Sequence, residues 1–537
     1  MQIGSNHLRN ALDEVVELLI SGRVTTTKEL EQIKRQLSRK YGLSATFRNS
    51  EILAVLPQDA PQYIRNILRR RAVRNLSGIA VVAVMTTPAS CPGNCIYCPG
   101  GIYGEKPTPK SYTGREPAAL RAEQNQFDGF RQTSARLSQL EAIGHDTTKV
   151  HLIIMGGTLL AQPNHYQEHF FKDCLDAIVG YRTLSLEASF NEAEHSHRRL
   201  VGVTYETRPD FCHSLHVDRM LSLGGTWVEI GVQTLRDSIL QRIRRGHTLA
   251  DTVEAIQIAR DSGLKVTLHV MPNLFATPTE DLQMFQDLFS SSQFQPDALK
   301  IYPLLVLKGT PLYELWKKGD FVPYPEDEVV KVLARAKTII PPYVRIQRIQ
   351  RDIPAGLIQD GVFHSNLREL VHERMQMEGK RCRCIRCREI GHVIKKGSLT
   401  GDLTDPELKR RQYNASGGEE LFLSFEDGKN DVIFGFLRLR IPSDRAHRLE
   451  VCNVASALVR ELHIYGEAVG VGSAPDDRLE IWQHKGLGKK LLSYAEKVAK
   501  EEYDAKQLLI TSGIGVRAYY RKLGFDLRGS YMGKNLY

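Results

Sequence analysis

The stretch Cys91-Pro92-Gly93-Asn94-Cys95-Ile96-Tyr97-Cys98 decides how this chain folds. Proline and glycine between the thiols make it a loop. It follows the apolar run IAVVAVMT (79–86), and five similar runs come after it: VHLIIMG (150–156), LVGVTYET (200–207), TWVEIGV (226–232), LKVTLHVM (264–271) and ALKIYPL (298–304). Amphipathic stretches such as 118–143, 248–262 and 280–290 lie between them. Strands alternating with helices give parallel βαβ units. Six units make a partial barrel with its working loops at the C-terminal strand ends. The polar motifs fall at those ends: the thiols after the first strand, Gly156-Gly157-Thr158 after the second, Glu206-Thr207-Arg208-Pro209 after the third and Gln233 after the fourth.

Nine cysteines are present, and six sit in two tight groups, 91/95/98 and 382/384/387. In a chain whose first residues do not read as a secretion signal, such groups are metal ligands rather than disulfides. Three thiolates leave one iron of a [4Fe–4S] cluster without a protein ligand, a vacancy that S-adenosylmethionine (SAM) fills in order to be cleaved to a radical. The C-x3-C-x2-C spacing, the aromatic Tyr97 before the last thiol and the loop position resemble the radical SAM superfamily; the competing readings are a structural zinc loop and a four-cysteine cluster with a distant ligand. Gly156 and Gly157 resemble that superfamily's SAM-binding glycine motif, with Thr158 where an acidic residue is usual. Glu206, Arg208 and Gln233 either bind SAM or substrate or close the barrel mouth by salt bridging.

The C-terminal part reads as a separate α/β unit. The strand VRELHIYG (459–466) is followed by Gln483-His484-Lys485-Gly486-Leu487-Gly488, which opens the helix GKKLLSYAEKVAKEE. Glycines let backbone N–H groups approach a pyrophosphate at a helix N-terminus. Then come the strand QLLITSG and Val516-Arg-Ala-Tyr519-Tyr520-Arg-Lys-Leu-Gly-Phe525. This order resembles the GNAT acetyltransferases, in which Tyr520 or Tyr519 would protonate the CoA thiolate. Glu461 is either a base or a solvated strand residue.

Cys382, Cys384, Cys387 and His392 offer four ligands for a closed tetrahedral zinc site, with His364 and His372 as alternative fourth ligands. The formal net charge is +10. Between Lys28 and Arg74 there are 11 Lys/Arg against 4 Asp/Glu, among them Lys34, Arg35, Arg39, Lys40, Arg69, Arg70, Arg71 and Arg74. One-sided charge over that length is either a solvated face or a phosphate-binding surface. No apolar run reaches 18 residues, so a membrane span is not expected and a cytoplasmic protein is. The expected layout is a helical, basic, tRNA-binding region over 1–75, a radical SAM partial (β/α)6 barrel over 76–340, a basic linker with a zinc site over 341–415 and a GNAT domain over 416–537.

A radical SAM barrel followed by a GNAT domain resembles the Elongator catalytic subunit family. The stretches PKSYTGREP (109–117), DTTKVHLIIMGGT (146–158), ETRPD (206–210), RIQRDIP (348–354), RELHIYG (460–466) and RAYYRKLGF (517–525) carry the resemblance. It implies formation of 5-carboxymethyluridine at the tRNA wobble position, with acetyl-CoA as carbon donor and SAM as radical source. It also implies that Lys149, Glu461, Leu462, His463, Ile464, Trp482, Gln483, His484 and Tyr520 contact acetyl-CoA, with Lys149 and Tyr520 at the reacting end. An electron donor is required, and the chain is expected to work alone or as a homodimer. The alternative is a protein lysine acetyltransferase with a regulatory radical SAM domain.

Overall fold

The computed structural model describes residues 2–57, 59–68, 78–102, 107–397, 399, 403–466 and 486–537. Four helices open the chain: Gln2–Ile20, Thr27–Lys40, Asn49–Val55 and Gln62–Leu68. Thr26 caps the second, accepting the Glu29 N–H while the Glu29 carboxylate accepts the Thr26 N–H at 3.0 Å. Ala11, Val15, Leu19, Leu30, Leu37, Ile52 and Leu68 give these helices a core of their own. Within the stretch LSATFRNSEILAVLP (43–57), whose pattern is strand-like, Asn49–Val55 forms a helix instead, with the Glu51 carboxylate accepting the Arg48 N–H at its start.

Seven parallel strands follow in sequence order: β1 (Ala80–Met85), β2 (Lys149–Met155), β3 (Arg199–Thr207), β4 (Trp227–Gln233), β5 (Lys265–Val270), β6 (Ala298–Ile301) and, after the short strand β7 (Leu305–Leu307), β8 (Arg345–Ile349). The seventh strand lies beyond the six expected, inside the segment read as linker. One residue of each strand pair points to a helix and the next into the barrel. Leu152, Val203, Val228, Ile230, Val266 and Leu268 are fully buried against the helical layer, at about 1.5–3 kcal/mol for each large apolar side chain. The opposite set, including His151, Thr204, Trp227, Glu229, Lys265 and His269, is polar or aromatic and lines the lumen. Strand β9 (Ile358–Gly361) pairs with β7.

The C-terminal sheet contains β10 (Glu407–Ala415), β11 (Gly418–Asp427), β12 (Val432–Ile441), β13 (Ser456–Ile464), β14 (Gln507–Ile510), β15 (Asp526–Arg528) and β16 (Tyr531–Asn535), in the order 10-11-12-13-14-16-15. It is antiparallel except for β13 and β14, which pair in parallel only from Ser456 to Val459. Beyond Val459 the two strands part, and Arg460–Ile464 stay bonded to β12 alone. The sheet is joined to the barrel by buried charges. Arg460 donates to Asp297 at 2.7 and 2.8 Å and to Glu420 at 2.7 Å, and Arg440 donates to Asp261 at 2.6 Å. All five side chains are at most 2 % exposed.

Candidate functional sites at the two ends of the barrel

A cavity of about 390 Å³ occupies the C-terminal ends of the strands. Cys91, Cys95 and Cys98 line it, together with Gly157, Thr158, Glu206, Gln233 and Lys300. The loop is held by its neighbours: Ile96 bonds the Ile243 carbonyl, and Leu312 donates to Ile96 O at 2.9 Å. Arg245 points one guanidinium nitrogen at Cys95 Sγ at 3.4 Å and another at Gly231 O at 2.7 Å. Arg208 is clamped by Asp210 and by Arg245 O, yet its Nη1 is buried with no hydrogen-bond partner among the described residues. A Cβ placed on Gly93, between the first two thiols, would fall 1.8 Å from that nitrogen. Burial, then the Cys95 sulfur beside it, pushes the Cys98 thiol up to about 11.

Two guanidinium groups aimed at a thiol loop suit an anionic iron–sulfur cluster. Among the described residues the three sulfurs do not converge within 4.8 Å of one another, as one ion would require. The donors and the room beside them therefore fit a cluster rather than a single metal.

Gly156 and Gly157 take φ values of +115° and +93°. A Cβ on Gly156 would lie 2.5 Å from Thr86 Oγ1, so only glycine fits, while Gly157 opens toward the cavity. Gln233 ends β4 at φ +71°, a left-handed backbone that turns its side chain to the cavity. Glu206 accepts from Tyr112 Oη at 2.9 Å and from Lys300 Nζ at 3.4 Å. Lys300 also bonds Glu229, which His269 reaches at 3.0 Å. Burial pushes the Glu229 carboxyl up, but the Lys300 ammonium and His269 outweigh it and hold it at about 2. Glu206, Glu229 and His269 converge closely enough for a cation, and Lys300 already supplies one. Arg245, Tyr112 and Lys300 are missed by sequence reasoning, because nothing local distinguishes them from surface residues.

A second cavity of about 570 Å³ lies at the opposite, N-terminal ends of the strands, where the GNAT sheet abuts the barrel. Lys149, Glu461, Leu462, His463, Ile464, Gly486, Gly488, Tyr519 and Tyr520 all line it, in the gap where β13 parts from β14. Gly486 caps the helix Leu487–Tyr503 at φ +74°. Burial pushes the Tyr520 phenol up and the Lys149 ammonium down. Glu461 is committed to Lys265 and Arg438; burial opposes them, yet they hold it at about 2, so it is no free base. Burial drops His463 to about 4. Trp482, Gln483 and His484 lie outside the described residues.

Cys382, Cys384 and Cys387 place their sulfurs within 4.8 Å of one another. The expected fourth ligand, His392, does not join them. His372 does come near, its Nε2 4.0 Å from Cys387 Sγ, while His364 is bonded to Glu326 at 2.6 Å. His372 sits on the helix Leu367–Met377, which packs beside the thiols, whereas His392 follows them in a separate short helix.

Of the basic N-terminal residues, Lys34 is buried and bonded to Glu31 and Asn49, so it is not part of an exposed surface. Lys40 is held by Glu14 at 2.7 Å. Arg35 and Arg39 are exposed. Arg69, Arg70, Arg71 and Arg74 lie outside the described residues. Among the described residues, no helix is long and apolar enough to cross a membrane.

Four family models match the chain: the ELP3 N-terminal domain over 8–76, the radical SAM superfamily over 85–290, the radical SAM C-terminal domain over 296–377 and the GNAT acetyltransferase family over 396–525. The tRNA uridine(34) acetyltransferase of Methanocaldococcus jannaschii is 47% identical over 536 residues, 98% of both chains. Elongator complex protein 3 of Schizosaccharomyces pombe is 43% identical over 97% of this chain and 96% of that one. Among solved structures, Methanocaldococcus infernus Elp3 lacking its first 46 residues superposes with a TM-score of 0.75 at 45% identity, covering 86% of this chain and 99% of that one. With every module matched and in the same order, the chain belongs to the Elongator catalytic subunit family, a radical SAM half-barrel fused to a GNAT domain.

Proposed function

We propose that the chain forms 5-carboxymethyluridine at the wobble uridine of tRNA, taking the two carbons from acetyl-CoA. The observation that carries this is the placement of a thiol-lined cavity and an acyl-CoA cavity at the two ends of one barrel. A cluster bound by Cys91, Cys95 and Cys98, with SAM on it, supplies a 5′-deoxyadenosyl radical able to take hydrogen from an unactivated methyl group. The chain's own residues do the rest. Arg245 and Arg208 offset the charge of the thiolates. Gly156 and Gly157 leave room for backbone approach to SAM. Gly486 and the helix behind it offer N–H groups to the CoA phosphates, and Tyr520 or Tyr519 donates a proton to the CoA sulfur when the thioester is hydrolysed.

Arg35 and Arg39 support a tRNA-binding face on the N-terminal helices. The reading includes a cytoplasmic enzyme served by an electron donor, as monomer or homodimer. Protein lysine acetylation is disfavoured because Glu461, the carboxylate that lines the second cavity, is tied to two cations.

At the second thiol group we propose zinc. A tetrahedral ion with Zn–S bonds of about 2.3 Å holds its sulfurs about 3.8 Å apart, compatible with the observed convergence. Lys337 is fully buried with no hydrogen-bond partner among the described residues. Its charge bears on all three thiols and balances the net −1 of Zn²⁺ with three thiolates. Hydrogen bonds from Cys382 and Cys387 already hold the Cys384 thiol well below its ordinary value.

The test is anaerobic reconstitution with SAM, reductant, acetyl-CoA and tRNA, followed by mass spectrometry of the nucleosides. Carboxymethyluridine is expected; acetyl-lysine in its place would overturn the reading. Metal analysis of aerobically purified protein should return one zinc per chain.

A further inference from the structure

The two cavities are successive floors of one shaft. On β2, Lys149 and His151 line the acyl-CoA cavity, and Ile153 and Met155 line the thiol cavity. On β5 the change falls between Lys265 and His269. What separates them is one layer of side chains. His151 Nε2 meets Thr204 Oγ1 at 2.7 Å, Trp227 Nε1 donates to Thr267 Oγ1 at 2.7 Å, and Gln347 Nε2 donates to the same oxygen at 3.3 Å. Glu229, between Trp227 and Gly231 on β4, belongs to the same layer and is held by Lys300 and His269. All these links join side chain to side chain, so the layer can part without breaking a strand ladder.

Gly202, the register partner of His151, carries no side chain, and Thr226 Oγ1 lies 3.0 Å from where its Cβ would sit. Val81, the partner on the other side of His151, lies on β1, the edge strand of the sheet, and lines the thiol cavity.

We propose that the barrel lumen is a binding subsite for the acyl arm of acyl-CoA. The arm enters at Lys149 and passes between His151 and Trp227, so that the acetyl methyl is presented to the radical from below. This rests on the functional reading above. The step it serves is balanced: a methyl C–H bond breaks, a C–H bond forms at the 5′ carbon of deoxyadenosine, and one hydrogen atom moves with no further reactant. His151 and Trp227 are positioning residues, with Thr204 and Thr267 holding them across the shaft until the arm arrives.

The first test needs no cluster. Thr204→Cys protein, purified without iron, is treated with bromoacetyl-CoA, and its peptides are mapped by mass. Alkylation of residue 204 that acetyl-CoA suppresses is expected. Labelling of exposed Cys452 with residue 204 untouched would overturn the proposal. Val81→Trp, which fills the shaft, should slow alkylation of Cys at 204 by at least about tenfold. If Val81→Trp fails to fold by circular dichroism, the alkylation of residue 204 decides alone.

The second test uses loaded enzyme and trideuterated acetyl-CoA. Wild type should place deuterium in 5′-deoxyadenosine, and Val81→Trp should make only unlabelled 5′-deoxyadenosine. Equal label in both would overturn the subsite alone. No label in wild type would instead overturn the functional reading.

Discussion

The two cysteine groups share a residue type and a compact spacing, and the fold gives them opposite surroundings. Cys91, Cys95 and Cys98 sit on a loop that faces a cavity, with their sulfurs spread and two arginines reaching toward them. Cys382, Cys384 and Cys387 close on one another behind β8 and the helix Leu367–Met377, with a buried lysine for company. An open triad with guanidinium donors is built to keep a ligand position free. A closed triad with a single counter-charge is built to be filled once. Spacing along the chain distinguishes these poorly, and the charge and room around the sulfurs distinguish them well.

The largest effect that separates the two is expected from single thiol losses. Cys95→Ala should abolish cluster absorption and uridine modification while leaving acetyl-CoA affinity unchanged by calorimetry. Cys384→Ala should do the reverse in kind: zinc is lost and unfolding free energy falls by more than about 4 kcal/mol, measured by denaturant titration. If Cys384→Ala kept its zinc and its stability, the contrast would fail.

The counter-charges give smaller effects. Lys337→Met should weaken zinc about 10–100-fold in a chelator competition and leave the cluster potential alone. Arg245→Gln should lower the cluster's reduction potential by on the order of 50–100 mV, since the reduced cluster loses a charge-assisted neighbour, with zinc content unchanged.

The smallest expected effect concerns a third buried cation, Lys265. Burial, opposed by Glu461, brings it down to about 8, against about 10.4 in the unfolded chain. Between those values the unfolded state holds a proton that the folded state has released, so stability rises with pH there. Wild type should gain on the order of 1 kcal/mol per pH unit relative to Lys265→Met from pH 8 to 10, and lose that gain below pH 8.

Six of the seven barrel strands are legible in the sequence because each carries a hydrophobic run that buries one face against helices. The seventh, Arg345–Ile349, hides because its remaining positions are Arg345, Gln347 and Arg348, turned to ion pairs and the shaft. The thiol loop, the glycine pair and the tyrosine helix are legible because each motif is contiguous. His372 is not, since it reaches the thiols from a helix that precedes them. Lys34 looks like surface in a basic run, yet Glu31 and Asn49 draw it inward. Arg245 and Lys300 acquire meaning only when the barrel closes and brings distant strands to one lumen.

The salt links between barrel and GNAT sheet also bear on how the two halves find each other. Arg260, Arg438, Arg440 and Arg460 share Asp261, Asp297 and Glu420 in a setting without water access. Removing one partner of a buried pair while the other stays buried costs about 3–5 kcal/mol. Expressed apart, the two halves would present these charges to water, and they could rejoin only in the register that pairs each arginine with a carboxylate again.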